Sequence, residues 1–125
     1  MNLLEVQSLS KTYGTGDIAV HALKAATFSV PKGEFVAIVG ESGSGKSTLL
    51  NMLGALDTPT SGKVFIDGKD IFFMQDQALT VFRRRNIGFI FQSFNLIPEL
   101  TVEQNIISRF CWITRNPTKN IWKSF

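Results

Sequence analysis

Gly40-Glu41-Ser42-Gly43-Ser44-Gly45-Lys46-Ser47 is the stretch that decides how this chain is read. It fits G-x-x-x-x-G-K-[ST], the spacing of a phosphate-cradling loop. In such a loop successive backbone N–H groups point into one concavity, and glycine stands where a Cβ would obstruct the turn or an approaching phosphate. On that reading Lys46 meets the β- and γ-phosphates of a nucleotide and the Ser47 hydroxyl ligates Mg2+. The bland alternative is a Gly/Ser-rich turn that only resembles the motif, and the flanking sequence weighs against it.

Phe35-Val36-Ala37-Ile38-Val39 is a continuous apolar run of strand length, the pattern of a parallel strand buried on both faces, and Gly40 ends it. After the loop, Leu49, Leu50, Met52, Leu53 and Leu56 recur at helical spacing between Ser47 and Leu56, and Asp57-Thr58-Pro59 stops the segment. The loop therefore opens a helix whose N-terminus, with partial positive charge and unpaired N–H groups, would face the anion.

Outward from this unit the punctuation is regular, without repeats or low-complexity tracts. Leu3 to Leu9 alternates as a strand, Tyr13 to Asp17 is a loop, and Val20 to Val30 is a further strand before the turn Pro31-Lys32-Gly33-Glu34. Val64-Phe65-Ile66 precedes Asp67-Gly68, a tight-turn dipeptide. An amphipathic segment from Gln75 to Arg85 has Ala78, Leu79 and Phe82 as its apolar side, and Ile87 to Phe91 is another buried-strand candidate. Thr101-Val102-Glu103-Gln104 has the form of a capping box opening a helix.

With 125 residues, 44% of them hydrophobic, the chain has material for one core and no more. The net charge of +3 suits an anionic ligand but is too small and scattered to argue for nucleic acid. Arg83-Arg84-Arg85 reads as a solvated helix end, with cations near the negative end of the dipole. A single cysteine, Cys111, excludes an internal disulfide framework and fits a reducing cytoplasm. The N-terminus lacks the regions of a signal peptide, and no apolar stretch approaches the ~20 residues of a spanning helix, so a link to a membrane is expected to run through a partner.

Gln92 directly follows the Ile87–Phe91 run. The carboxyl end of a parallel strand is where α/β folds bind ligands, and a Gln amide can accept from a metal-bound water while donating to a phosphate. Alone, such a Gln is an ordinary loop residue; beside a phosphate loop it becomes a site candidate.

From about Leu3 to Ile107 the sequence resembles the nucleotide-binding subunits of ABC transporters. Gly33 to Leu50, the Leu-Asp-x-Pro-Thr-Ser-Gly stretch from Leu56 to Gly62, and Ile87 to Thr101 are similar to the lipoprotein-release and macrolide-export branch. The resemblance implies an α/β fold: a P-loop NTPase core with an antiparallel β-subdomain, truncated before the signature and Walker B regions. It implies ATP and Mg2+ as cofactors. Tyr13 matches the aromatic that stacks on adenine, with Val20 adding apolar contact. Gly40, Glu41, Ser42, Gly43, Ser44, Gly45, Lys46, Ser47 and Thr48 match the residues that hold the triphosphate, and Ser47 and Gln92 those that meet the metal. The implied partners are an integral membrane permease, pressed by the segment from Phe94 to Ile107, and a second nucleotide-binding subunit. The implied location is the inner face of the cell membrane.

Three elements of the family find no match: the Leu-Ser-Gly-Gly-Gln signature, the Walker B strand ending in Asp-Glu, and the switch histidine. His21 precedes the phosphate loop in a strand-like segment and reads as a surface or edge histidine. Hydrolysis needs the Walker B Asp for Mg2+ and a Glu to position water, so no catalytic residue is assigned. Residues 1–108 are expected to be the N-terminal part of a nucleotide-binding domain, and 109–125 a tail outside the family pattern, left by an interrupted or frame-shifted gene. Strand 35–39 would then lack neighbours, making the chain marginal and prone to aggregate. The expected function is Mg-ATP binding that energises transport, as an exporter subunit. The alternatives are a binding-only regulatory module and another P-loop nucleotide enzyme; the absence of Asn-Lys-x-Asp speaks against a GTPase.

Overall fold

The computed structural model describes residues 1–111, which fall into two compact units, one from Met1 to Arg83 and one beginning at Arg84. In the first, β1 (Asn2–Tyr13) lies between β2 (Val20–Pro31) and β3 (Ser61–Ile66), and the short β4 (Lys69–Asp70) completes an antiparallel sheet of order β2-β1-β3-β4. Asp67 and Gly68 both take positive φ (50° and 73°) and place Ile66 opposite Lys69, the two-residue geometry that matches strand twist. That turn and all three longer strands agree with the sequence reading, although β1 runs four residues further at its C-terminal end than the alternation shows.

Alternation sends residues i and i+2 to one face of a strand. Val6 and Leu9 are three apart, yet both are buried, at 1% and 0% exposure. A bulge reconciles the two facts. Ser8 sits at φ 46°, and the β1–β2 register shifts between Val6 and Leu9. Side-chain oxygens serve amides displaced from the ladder: Ser8 N–H donates to Thr27 Oγ1 at 2.9 Å and Ala25 N–H to Ser10 Oγ at 2.8 Å.

Gly62 is packed against this bulge at φ 92°, and a Cβ there would collide with the backbone of Gln7, Ser8 and Leu9. Gly62→Ala is expected to cost about 2–3 kcal/mol, combining the left-handed penalty with displacement of the bulge. Chemical denaturation measures it, and an unchanged midpoint would remove the close approach from the account.

Helix α1 (Lys46–Leu53) and the part of helix α2 (Asp76–Asn86) up to Arg83 complete the first unit. Its core is Val6, Leu9 and Val64 from the sheet, Leu49, Met52 and Ala55 from α1 and its cap, with Ile71 and Phe82. α1 ends three residues before the Leu56 expected from periodicity. Ala55 turns left-handed at φ 52°, Ala55 N–H donates to Met52 O at 3.0 Å, and Leu56 N–H donates to Asn51 O at 2.8 Å. This pair of bonds is a Schellman stop, in which Leu56 keeps apolar spacing but belongs to the cap. Arg83 Nη1 donates to the Ala55 carbonyl at 3.0 Å, so one member of the arginine run supports the C-terminal end of α1. Of the apolar side assigned to α2, Phe82 is buried and Leu79 half-buried, while Ala78 is exposed.

Two expected strands do not form. Residues 35–39 and 87–91 carry no strand assignment. A strand exists only within a ladder, and neither segment pairs with a strand of the one sheet among the described residues. Phe35 is left at 96%, Val39 at 86% and Ile90 at 98% exposure, while Ile38, Ile87, Phe89 and Phe91 are half-buried.

In the second unit α3 (Val102–Cys111) opens with the capping box read from sequence. Thr101 N–H donates to Gln104 Oε1 at 2.9 Å, and Gln104 N–H donates back to Thr101 Oγ1 at 3.2 Å. The Asn105 amide binds both the N–H and the C=O of Ile97, tying the preceding loop to the first turn of the helix. Of the tail assigned to 109–125, the backbone of the first three residues continues α3, and 112–125 lie outside the described residues.

Candidate functional site

The glycine-rich segment leaves the exposed 35–39 run and turns at Glu41–Ser44, where Ser44 N–H donates to Glu41 O at 3.2 Å. Gly43 and Gly45 take φ 78° and 92°. Gly45 is the N-cap of α1, and its carbonyl accepts the first helical bond from Leu49 N–H at 2.9 Å. Only glycine fits this place: a Cβ on Gly45 would overlap the carbonyl oxygen of Ala22 on β2. The close approach sets the loop against the sheet.

Lys46 curls back over its own loop. Its Nζ donates to Gly40 O at 2.7 Å, to Glu41 O at 2.5 Å and to Ser44 Oγ at 3.2 Å, which uses all three ammonium hydrogens. A positive charge is thereby held inside the bend, beside the helix N-terminus, where both fields favour an anion. Ser47 is exposed and Thr48 half-buried on the first turn of α1, and Glu41 and Ser42 are exposed in the turn.

Tyr13 and Val20 are direct partners in the β1–β2 register, at 42% and 61% exposure. Ala22, which abuts Gly45, lies two residues beyond Val20 on β2. The aromatic, its apolar partner and the glycine-rich loop thus share one end of the sheet. Gln92 lies exposed in a bend of the second unit. His21 is exposed on the edge strand β2 and hydrogen-bonded to Thr12 Oγ1 at 3.0 Å, as an edge histidine should be.

Sequence reasoning assigned no site role to Lys11 or to Asp57, the latter having been read as a helix stop and as part of the Leu56–Gly62 stretch. Tyr13 Oη donates to Asp57 Oδ2 at 2.7 Å, and Lys11 Nζ donates to Asp57 Oδ1 at 2.9 Å and to Thr58 O at 2.6 Å. The Lys11 ammonium also stands 4.9 Å from the Tyr13 ring centroid, within cation–π range. The i, i+2 placement of Lys11 and Tyr13 on β1 was the one available hint.

The Lys11 bond, followed by the Tyr13 bond, holds the Asp57 carboxyl below the usual carboxylate range. The same Asp57 bond, aided by desolvation and the carboxylate charge, pushes the Tyr13 phenol above its ordinary 10.0, with Lys11 and Thr48 opposing. The signs agree. The lowered carboxyl adds stability above its unfolded value that is lost as pH falls through the folded value, and the raised phenol adds stability that is lost as pH rises through its folded value. Solvent exposure keeps both contributions small. Tyr13 is the single tyrosine, so tyrosinate absorbance reads it directly. Asp57→Ala is expected to move the midpoint down toward 10.0, and identical titrations would exclude the contact in solution.

A glycine-rich loop opening a helix is the phosphate-binding unit of P-loop nucleotide-binding proteins, and here it stands beside an antiparallel sheet. One solved structure, a dimeric post-hydrolysis state of the ATP-binding cassette MJ0796 bound to ADP and Pi, superposes with a TM-score of 0.85 at 43% identity, over 93% of this chain and 50% of that one. The chain belongs to the ABC transporter family, which matches residues 23–124. It is similar to the lipoprotein-releasing system ATP-binding protein LolD of Geobacter metallireducens, 49% identical over 85% of this chain and 47% of LolD. It is equally similar, at 49% over 83% of the chain, to the macrolide export ATP-binding/permease protein MacB of Brucella abortus, of which it spans 16%. The chain thus spans less than half the length of these relatives. Among the described residues no helix is long and apolar enough to cross a membrane.

Proposed function

We propose that this chain holds Mg-ATP for an ABC exporter, with the adenine on Tyr13 and Val20 and the triphosphate in the bend from Gly40 to Thr48. The observation that carries the reading is the shared location of these groups: Tyr13 pairs with Val20, and two residues along the same strand Ala22 meets Gly45. An aromatic face binds a purine by dispersion and offset stacking. The loop amides and the charge of Lys46 bind the phosphates, and the Ser47 hydroxyl, on the first turn of α1, is an oxygen donor for Mg2+.

This donor set fits the ion. Mg2+ prefers hard oxygen ligands, keeps much of its water and shares sites with phosphate oxygens rather than needing a protein cage. Among the described residues there is no cluster of three His, Cys, Asp or Glu side chains of metal-holding type, so a hydroxyl–phosphate site is the kind these residues can form. The Ser47 hydroxyl would hold the ion, which would supply charge neutralisation at the phosphate oxygens. The roles assigned to this chain are binding roles, and none of its residues is placed as a general base.

The wider reading is a subunit on the inner face of the cell membrane that works with a second nucleotide-binding subunit and a membrane permease. The dimeric solved neighbour and the export and release functions in the relatives' names support it. The direct test is saturable binding of a fluorescent ATP analogue by the wild-type chain and by Lys46→Ala. Equal binding by the two refutes the nucleotide site.

A further inference from the structure

We propose that Asp57 is a positioning residue for the Tyr13 ring, and that Lys11, Asp57 and Tyr13 together make the site favour a base-bearing nucleotide over bare triphosphate; this rests on the nucleotide reading above. An aromatic side chain at a strand end, 42% exposed, has several rotamers open to it. Stacking is worth most when the ring already stands in the bound orientation, because ordering it on binding subtracts from affinity. Here the phenol is tied down. Its hydroxyl donates to Asp57 Oδ2 at 2.7 Å, and the acceptor is itself clamped, since Asp57 Oδ1 accepts from Lys11 Nζ at 2.9 Å and from Thr58 N–H at 2.8 Å. Lys11 Nζ is anchored in turn on Thr58 O at 2.6 Å.

The tether also chooses a face. Lys11 holds its ammonium 4.9 Å from the ring centroid, so one face of Tyr13 carries a cation and a base would stack on the other. A third consequence concerns the loop helix. Asp57 follows the Gly54 cap of α1 by three residues, while the other end of α1 begins at Gly45, lodged against Ala22 of β2. The base platform is therefore joined to the phosphate-loop helix beyond both of its ends, and the distance between base and phosphate subsites is held by side-chain bonds as well as by the sheet.

The experiment uses the full 125-residue chain, with ATP and inorganic tripolyphosphate each competing against a fluorescent ATP analogue. Asp57→Ala is expected to weaken ATP about fivefold, the scale of one aromatic contact, while tripolyphosphate stays within about twofold of wild type. Asp57→Asn, whose amide oxygen still accepts the phenol, should recover part of the loss. Tyr13→Phe, which keeps the ring and removes the tether, should match Asp57→Ala, with the double variant no worse than either. A parallel fall for tripolyphosphate in Asp57→Ala would show a purely structural role, and wild-type ATP affinity in Tyr13→Phe would overturn the tether. Failure of the wild-type chain to bind ATP at all would instead remove the nucleotide site on which the proposal rests.

Discussion

Lys46→Ala is expected to lower ATP affinity by about 10- to 100-fold, the range for losing charged hydrogen bonds of about 1.5–3 kcal/mol. Two losses combine. The ammonium that would meet the phosphates disappears, and so do the three bonds by which Lys46 gathers Gly40 O, Glu41 O and Ser44 Oγ into one bend. Lys46→Arg separates them, because guanidinium retains the charge but is a planar fork rather than a compact three-way donor. An affinity for Lys46→Arg close to that of Lys46→Ala would show that the geometry of the bend matters more than charge. An affinity near wild type would show the reverse. Titration with a fluorescent ATP analogue reads all three proteins. The sheet and core should be untouched, so the denaturation midpoint of Lys46→Ala should lie close to wild type.

Leu9→Ala should destabilise the first unit by about 2–5 kcal/mol, a large part of a typical domain's ~5–15 kcal/mol. Leu9 is fully buried on the sheet's core face, and truncation there leaves a cavity in addition to the lost transfer energy. Leu3, on the same strand and 40% exposed, is the control: Leu3→Ala should cost well under about 1 kcal/mol. Urea denaturation of the two variants checks the bulge as much as the core. Without the extra residue at Ser8, strict alternation from Val6 would carry Leu9 to the opposite face. Equal midpoints for the two variants would contradict the bulge.

The accuracy of the sequence reading followed the range of the interaction involved. The Asp67-Gly68 turn and the Thr101–Gln104 capping box depend on residues within four positions of each other, and both formed as read. The helix after the phosphate loop was found, but its end was misplaced. Leu56 satisfies helical spacing, and what stops α1 is the left-handed turn at Ala55, a backbone state that periodicity does not report. Residues 35–39 show the opposite limit. Their apolar run describes a strand buried on both faces, and burial requires neighbours that the described residues do not supply.

For the site the division is similar. The loop could be read because its chemistry lies in eight consecutive residues: glycine conformations, a lysine and a hydroxyl at fixed offsets from a helix start. Tyr13 and Val20 came from resemblance, and folding placed them opposite each other. The Lys11–Asp57–Tyr13 network joins β1 to the segment beyond α1, across more than forty positions of chain, and no local pattern encodes such a contact. Residue order alone settled the Asp67-Gly68 turn, the Thr101–Gln104 capping box and the glycine–lysine loop that opens α1. Which groups stand beside that loop was decided only when antiparallel pairing and the bulge at Ser8 brought distant side chains within hydrogen-bonding reach, because bonds of that length depend on position in space and not on separation along the chain.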